Sequence, residues 1–281
     1  MSFTSAMSST AMSSTAMSST SAMSSALSPP LAPPCLGPDD ILAFKRDGYA
    51  VLRGAFGASD MARIACWTDE IANWPERSGG HWVFHEKSRL DPARELIARI
   101  ENIVPFHDGY RALCGVLAAP VAQLMGEKAV LFKEKINFKM PGGDGFKAHQ
   151  DSQAGWDRYA GYFVTAVLSI DRATAENGCL RLAPGHHGRG LFRSWEPLSA
   201  QDMAGMVFRD CPTEPGDLVL FDSYAPHESE PNLSPTVRRM YFATFNRAAE
   251  GEHMARYYAD KHANYPPDID RDPSRRYVFR V

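Results

Sequence analysis

The alternation of apolar and polar residues is clearest at positions 130–139, where it predicts a β-strand with two chemically different faces. One face carries Val130, Phe132, Ile136 and Phe138, and the other carries Lys133, Lys135, Asn137 and Lys139. Further apolar runs predict strands at 161–171, 178–183, 217–222 and 238–246. Turn-forming stretches such as PGGDG, PGHHG and EPG separate these strands.

Helical spacing dominates the part of the chain before residue 130. Residues 37–56 predict a short helix, capped by Asp39 or Asp40, that leads into a strand. Apolar residues at three- and four-residue spacing predict a second helix at 58–74, and a third is expected at roughly 108–126. Helices followed by strands indicate a mostly β fold with flanking helices, and a double-sheet jelly roll fits this order.

The first 38 residues differ from the rest of the chain because they contain no charged side chain. AMSST occurs three times in succession, AMSSA follows, and the stretch then becomes rich in proline. Such a segment has too little bulky apolar surface to offset the entropy of ordering. We therefore expect a disordered leader at 1–38 and a single folded domain at 39–281. The leader lacks the basic start of a secretory signal and the arginines of a transit peptide.

Composition narrows the class of protein. The 281 residues include 30 Lys and Arg against 33 Asp and Glu, so a basic surface for nucleic acid is not expected. No apolar run approaches the roughly 18 residues of a membrane helix. The five cysteines are scattered without a CxxC pair, which favours reduced thiols. We therefore expect a cytoplasmic protein that binds neither nucleic acid nor membrane; its oligomeric state stays open.

The candidate chemistry begins at His149 and Asp151, which lie two residues apart and therefore face the same side of a strand. His227 follows a predicted strand and a turn at Pro226, and the two sheets of a jelly roll can bring such distant segments together. Two histidines and one carboxylate form the facial triad that suits non-haem Fe(II) and leaves positions open for other ligands. A solvated pair and an ordinary loop histidine are the alternative interpretation.

Two arginines begin the strand at 238–246. Arg238 and Arg239 point to opposite faces of this strand, so at most one of them faces inward. An inward guanidinium can hold a carboxylate through two parallel hydrogen bonds. Which of the two arginines does so stays open, and a solvated surface is the alternative role for either.

The motifs HQD at 149–151, PGHH at 184–187 and H-x4-N-x-S-x3-R at 227–238 together resemble the phytanoyl-CoA dioxygenase family. The resemblance extends over roughly residues 39–250. It implies a cupin-like double-stranded β-helix, a jelly roll that binds Fe(II) and uses 2-oxoglutarate and O2, with ascorbate as a stimulant. The implied reaction hydroxylates an unactivated carbon of a small molecule, an anionic one among the options, and releases succinate and CO2.

The resemblance also implies roles for individual residues. His149, Asp151 and His227 would be the catalytic iron ligands, and Arg238 would pair with the far carboxylate of 2-oxoglutarate. Further cosubstrate contacts are implied at Lys133, Asn137 and Ser229 and, more loosely, at Trp156. Halogenating relatives lack the carboxylate that Asp151 supplies here, so hydroxylation is favoured.

The substrate is the least determined part of the interpretation. Trp82, Arg99 and Lys147 are candidates for contact with an anionic substrate, although ordinary surface or helix-face roles are the alternative. Two other classes of protein also remain. A cupin-like metal-dependent hydrolase could use the same three ligands but would not need Arg238, and a non-catalytic ligand-binding jelly roll would not need the complete triad.

Overall fold

Two antiparallel sheets form the centre of the protein, and the computed structural model describes Met1 and residues 29–278. The strands are β1 (Tyr49–Leu52), β2 (Trp82–Lys87), β3 (Glu95–Glu101), β4 (Ala129–Lys139), β5 (Phe146–His149), β6 (Phe163–Ser169), β7 (Leu180–Leu182), β8 (Arg209–Cys211), β9 (Leu218–Asp222), β10 (His227–Ser229) and β11 (Arg238–Arg247). The helices are α1 (Pro38–Asp47), α2 (Ala58–Ala72), α3 (Asp108–Met125) and α4 (Met254–Asn264). The large sheet has the order β1-β9-β6-β11-β4-β3-β2, and the small sheet has the order β5-β10-β7-β8.

Each face of the large sheet is covered by a different apolar layer. A small layer joins the large sheet to the small one and contains Val219, Phe221, Met240, Leu180 and Leu182. A larger layer packs α2 and α3 against the other face and includes Ile64, Leu113, Leu117, Ile136 and Tyr241. A mostly β jelly roll with flanking helices is therefore confirmed. The site described below lies between the two sheets.

A β-bulge in β4 changes the face on which Phe132 lies. In the pairing with β11, Lys133 lies opposite Thr244 and Leu131 lies opposite Phe245, so Phe132 is the extra residue. The prediction that Phe132 shares a face with Ile136 is wrong for this reason. Its ring packs instead with Trp156 and other aromatic residues beside the site.

Five elements were not predicted: β2, β3, β8, β10 and α4. In β3 (ELIARIE) charged residues lie among apolar ones, yet Arg99 and Glu101 are buried. The short strand β8 completes the small sheet, and α4 follows the last strand. The expectation that helices come first and strands afterwards holds only in part, because β1, β2 and β3 precede α3 and all join the large sheet.

Two leucines that precede α1 pack onto the domain. Leu31 and Leu36 are buried in the larger apolar layer, and the Leu36 backbone N–H donates to Gln123 at 2.9 Å. Residues 2–28 of the predicted leader lie outside the described residues. All five cysteines are free thiols. Among the described residues no helix has the length and apolar character needed to cross a membrane.

We expect Gly109→Ala in the first turn of α3 to destabilise the protein. A Cβ atom at this position would lie 2.6 Å from the Trp67 ring, and such overpacking costs about 1–3 kcal/mol. The matched control is Gly115→Ala in the same helix, where no heavy atom lies within 4 Å. That change should stabilise by about 0.5–1 kcal/mol through helix propensity. Urea unfolding of both variants checks the prediction, and equal effects would contradict it.

Candidate metal and substrate site

Three metal-ligating side chains meet at the edge of the small sheet. The pairing of β5 with β10 places His149 directly opposite His227, and Asp151 begins a 3-10 turn two residues after His149. One ligand atom from each residue lies within 4.8 Å of the other two. The Nε2 atoms of both histidines are 3.9 Å from Asp151 Oδ1. The structure therefore brings together the three residues on which the sequence interpretation depends.

Backbone carbonyls orient both imidazole rings. His149 Nδ1 lies 2.7 Å from the Lys147 carbonyl oxygen, and His227 Nδ1 lies 3.0 Å from that of Ala225. A carbonyl can only accept, so each Nδ1 carries the proton and each Nε2 keeps its lone pair. Such outer hydrogen bonds are the usual support of metal-binding histidines. The rings are thus held in the tautomer and direction that a shared ion requires.

The electrostatic environment of the triad also favours binding of a metal ion. Burial, together with the neighbouring His227, lowers the pKa of His149 to about 3, and burial also lowers the pKa of His227. Burial opposes ionisation of Asp151, but His227, Lys133 and His149 outweigh it and hold the pKa of this carboxyl below its usual value. Two neutral imidazoles and one carboxylate are a donor set that fits ferrous iron.

A narrow cavity of about 30 Å³ lies between the two sheets beside the triad. His149, Asp151 and His227 line it, and so does Arg238. Arg238 is 2% exposed, and its Nη2 donates to the Gly178 carbonyl oxygen at 2.7 Å. Its buried Nε has no hydrogen-bond partner among the described residues. A guanidinium with an unused donor at the wall of this cavity fits a carboxylate ligand.

The two neighbouring arginines have different environments. Burial lowers the pKa of Arg238 to about 10, which leaves it charged at neutral pH. Arg239 points to the other face of β11, where its Nε donates to Asp171 at 2.7 Å and its Nη1 donates to Asp69 of α2. Arg238 is therefore the inward arginine, and Arg239 ties the large sheet to α2.

Two further residues from the resemblance line the narrow cavity. Asn137 is 6% exposed, and its Oδ1 has no partner among the described residues. Ser229 accepts a hydrogen bond of 2.7 Å from Lys139, whose ammonium also donates to the Glu230 carbonyl oxygen. Polar groups thus surround Arg238 on the neighbouring strands.

A second, larger cavity of about 480 Å³ opens on the other side of the triad. His149 and Asp151 line both cavities, whereas Lys133 and Trp156 line only the large one. The Lys133 ammonium lies 4.4 Å from the centre of the Trp156 ring. Two residues whose side chains were expected at the cosubstrate are therefore placed in the wall of the larger space.

Lys133 and Lys135 carry partly buried ammonium groups beside the triad. Both line the large cavity, Lys135 also lines the narrow one, and neither makes a hydrogen bond or an ion pair within the described part of the chain. Burial lowers the pKa of both, and in Lys135 the charge of Lys133 contributes to bring it to about 7, while the carboxylates of Asp151 and Glu101 oppose the shift. Because poorly solvated charges are costly unless they are paired, these two ammonium groups are suited to an anionic ligand.

The nearby Arg99 is already paired within the protein. Its Nε lies 2.8 Å from Glu101 Oε1, and Lys261 of α4 contacts the other carboxylate oxygen. Burial opposes ionisation of Glu101, but Lys261 and Arg99 hold its pKa at about 2. All three residues line the large cavity. Arg99 thus lines the large cavity, and its guanidinium is already paired with Glu101.

The other two substrate candidates do not line either cavity. Trp82 is 6% exposed and packs against Tyr258 of α4 in an aromatic cluster. Lys147 is exposed, and it is its backbone carbonyl that contacts His149.

Sequence reasoning did not identify the wall that α4 supplies. Tyr257, Asp260 and Lys261 line the large cavity, and so does Tyr159. The spacing of Tyr257 and Lys261, four residues apart, was a signal that could have indicated one helical face.

A triad of this type in a jelly roll, with a buried arginine beside it, defines the class of iron- and 2-oxoglutarate-dependent oxygenases. The family model described as phytanoyl-CoA dioxygenase (PhyH) matches residues 44–240. The chain belongs to this family, and it is an oxidoreductase of the dioxygenase type.

Two similar proteins are named for phosphonate substrates. A 2-aminoethylphosphonate dioxygenase from uncultured bacterium HF130_AEPn_1 is 40% identical over 239 residues, which covers 83% of this chain and 90% of that protein. A methylphosphonate hydroxylase from Gimesia maris is 35% identical, and the match covers 79% of this chain and 85% of that protein.

The fold is also that of solved structures. EctD from S. alaskensis, solved with 2-oxoglutarate and 5-hydroxyectoine, has a TM-score of 0.64 at 22% identity. The match covers 76% of this chain and 77% of that one. The epimerase SnoN, solved with Fe3+ and alpha ketoglutarate, has a TM-score of 0.63 at 17% identity and covers 85% of this chain and 93% of that one.

We expect Arg238→Gln to raise the KM for 2-oxoglutarate by about 10- to 100-fold, because a charge-assisted hydrogen bond contributes about 1.5–3 kcal/mol. The matched control is Arg239→Gln, which removes the ion pairs to Asp171 and Asp69. That variant should lower the Tm and leave the KM for 2-oxoglutarate within about twofold of the parent. Steady-state succinate assays and thermal unfolding check both results. A larger KM effect from Arg239 would contradict the assignment.

Proposed function

We propose that this protein hydroxylates a carbon atom of a small organophosphonate in an Fe(II)- and 2-oxoglutarate-dependent reaction. The observation that carries the substrate class is the pair of partly buried ammonium groups, Lys133 and Lys135, that line the cavity beside the triad without an ion pair among the described residues. A phosphonate group carries up to two negative charges and several acceptor oxygens, so it can neutralise both. The two phosphonate-named relatives support the same class, and 2-aminoethylphosphonate is the first candidate.

In this proposal the three ligands hold iron through His149 Nε2, His227 Nε2 and a carboxylate oxygen of Asp151. Arg238 binds the far carboxylate of 2-oxoglutarate, with Asn137 and Ser229 beside it. When bound, iron and 2-oxoglutarate supply with O2 the oxidising power for C–H hydroxylation, and succinate and CO2 are released. Ascorbate is expected to stimulate by keeping the iron ferrous.

The chain's own residues position the substrate and limit the access of water. Lys133 and Lys135 extend from one face of β4, so both ammonium groups approach the same cavity from one side. Trp156 is 1% exposed, and the fully buried Phe132 packs against its ring and that of Tyr257. This apolar backing keeps the lysine charges poorly hydrated, which strengthens their attraction to an anion.

The composition-based expectations complete the proposal. The partner would be a small-molecule substrate, without nucleic acid, and the location would be cytoplasmic. The absence of a nucleic-acid partner and the cytoplasmic location stay predictions.

The decisive experiment measures succinate formation from 2-oxoglutarate under air with Fe(II) and ascorbate. The candidate substrates are 2-aminoethylphosphonate and methylphosphonate, with ethanesulfonate as a singly charged comparison. We expect phosphonate-stimulated turnover that is lost without iron and in Asp151→Ala, because the triad then lacks its carboxylate. Thermal unfolding serves as the control for folding. Iron-independent turnover, or no stimulation by either phosphonate, would overturn the proposal.

A second prediction separates the two anion sites. We expect Lys133→Met to raise the KM for the phosphonate by about tenfold or more, since it removes one charged contact of about 1.5–3 kcal/mol. The KM for 2-oxoglutarate should change less, because Lys133 lines the large cavity and not the narrow one. Lys147→Met, at an exposed position, is the matched control. The reverse pattern in Lys133→Met would place this lysine at the cosubstrate instead.

A further inference from the structure

The large cavity has the Lys133 and Lys135 ammonium groups in the part of its wall beside the triad and the Asp260 carboxylate of α4 in another part, its outer end. We infer that this outer end binds a cationic ammonium group of the substrate through Asp260. This inference rests on the proposed function, because it takes the phosphonate to lie at the lysine end. The substrate class is thereby narrowed to zwitterionic aminoalkylphosphonates. Asp260 then acts as a specificity-determining residue, and the oxidative chemistry does not depend on it.

A chain of contacts fixes the relative position of the two ends. The Lys133 ammonium lies 4.4 Å from the Trp156 ring centre and 5.9 Å from the Tyr257 ring centre. The Tyr257 ring in turn lies 5.9 Å from that of Tyr159. The Tyr159 hydroxyl donates to Asp260 Oδ2 at 2.7 Å. The rings of Tyr257 and Tyr159 thus lie between the Lys133 ammonium and the Asp260 carboxylate along one cavity wall.

The Asp260 carboxylate is oriented but not used up by the protein. Tyr159 holds one oxygen, and burial together with Asp260 raises the pKa of Tyr159 to about 12, which keeps its hydroxyl a donor. Oδ1 has no hydrogen-bond partner among the described residues. The nearest cation is the Arg256 guanidinium, with Nε at 3.9 Å from Oδ2 and a side chain that is 60% exposed. An exposed pair at this distance contributes little, so the carboxylate is available to a ligand.

Aromatic rings around this carboxylate favour the same kind of ligand. Tyr159, which holds the Asp260 carboxylate, and Tyr257, which contacts the Tyr159 ring, line the cavity with Asp260. Ring faces attract ammonium groups, and a carboxylate among such rings can add a charge-assisted hydrogen bond. A zwitterion with its phosphonate at the lysines and its ammonium at Asp260 matches both ends. Methylphosphonate would occupy the inner end alone.

Arginines at the cavity wall define the competing possibility. Arg158, Arg275 and Arg276 line the cavity, and of these Arg158 stacks over Trp195 and Arg275 stacks over Tyr277. If these guanidinium groups dominated the outer end, the cavity would favour a second anionic group over an ammonium group. The experiment therefore includes a substrate analogue with a carboxylate in place of the amine.

The experiment compares three phosphonates that share a short carbon chain and differ at its end. These are 2-aminoethylphosphonate, n-propylphosphonate and 2-carboxyethylphosphonate, each assayed for kcat/KM by succinate release. Binding of each probe to the iron- and 2-oxoglutarate-loaded protein is also titrated calorimetrically without O2. The variants are Asp260→Asn, which preserves shape and an acceptor for Tyr159, and Asp157→Asn, which removes a charge from an exposed residue that does not line the cavity.

We expect the parent protein to prefer 2-aminoethylphosphonate over n-propylphosphonate. In Asp260→Asn this preference should fall by about tenfold or more, in both kcat/KM and binding, since one charge-assisted contact is lost. In Asp157→Asn the preference should stay within about twofold. An unchanged preference in Asp260→Asn, or a parent preference for 2-carboxyethylphosphonate, would overturn the inference. Failure of the parent to bind or turn over any of the three phosphonates would instead overturn the proposed function.

Discussion

The backbone pairing of β5 with β10 is the constraint on which the site depends. It sets His149 opposite His227 in a sheet of only four strands, and it leaves Asp151 at the point where the chain turns away. Carbonyl oxygens from the same two segments then orient both rings. The ligand geometry is therefore made by local backbone, while the apolar layer under the small sheet holds that backbone against the large sheet.

The charged side chains around the triad are of two kinds, those that form ion pairs within the protein and those that do not. Arg99, Glu101 and Lys261 satisfy one another, so this part of the wall is stable by itself. Lys133 and Lys135 have no such partners among the described residues, and burial lowers the pKa of both. A buried pair becomes favourable only when geometry and hydrogen bonds compensate desolvation. In the proposed function an anionic substrate supplies that compensation, and its recognition is coupled to relief of an unfavourable charge arrangement.

Much of the site around the triad and Arg238 could be predicted because its residues lie at fixed short spacings. His149 and Asp151 share two-residue spacing, and Arg238 opens a strand whose alternation requires one inward arginine. The outer wall could not be predicted in the same way. The buried charges of β3 resemble a solvated face, and their partner Lys261 lies 160 residues away from Glu101. The bulge at Phe132 likewise depends on the pairing with β11, which no local pattern encodes.

The position of α4 has a consequence for how such enzymes diversify. The helix lies past residue 240, where the match to the family model ends, yet it supplies Tyr257, Asp260 and Lys261 to the large cavity. The three residues of the triad and Arg238 all lie within the matched region. If α4 binds substrate as proposed, mutations in this helix alter the choice of substrate over evolutionary time while the triad is inherited unchanged.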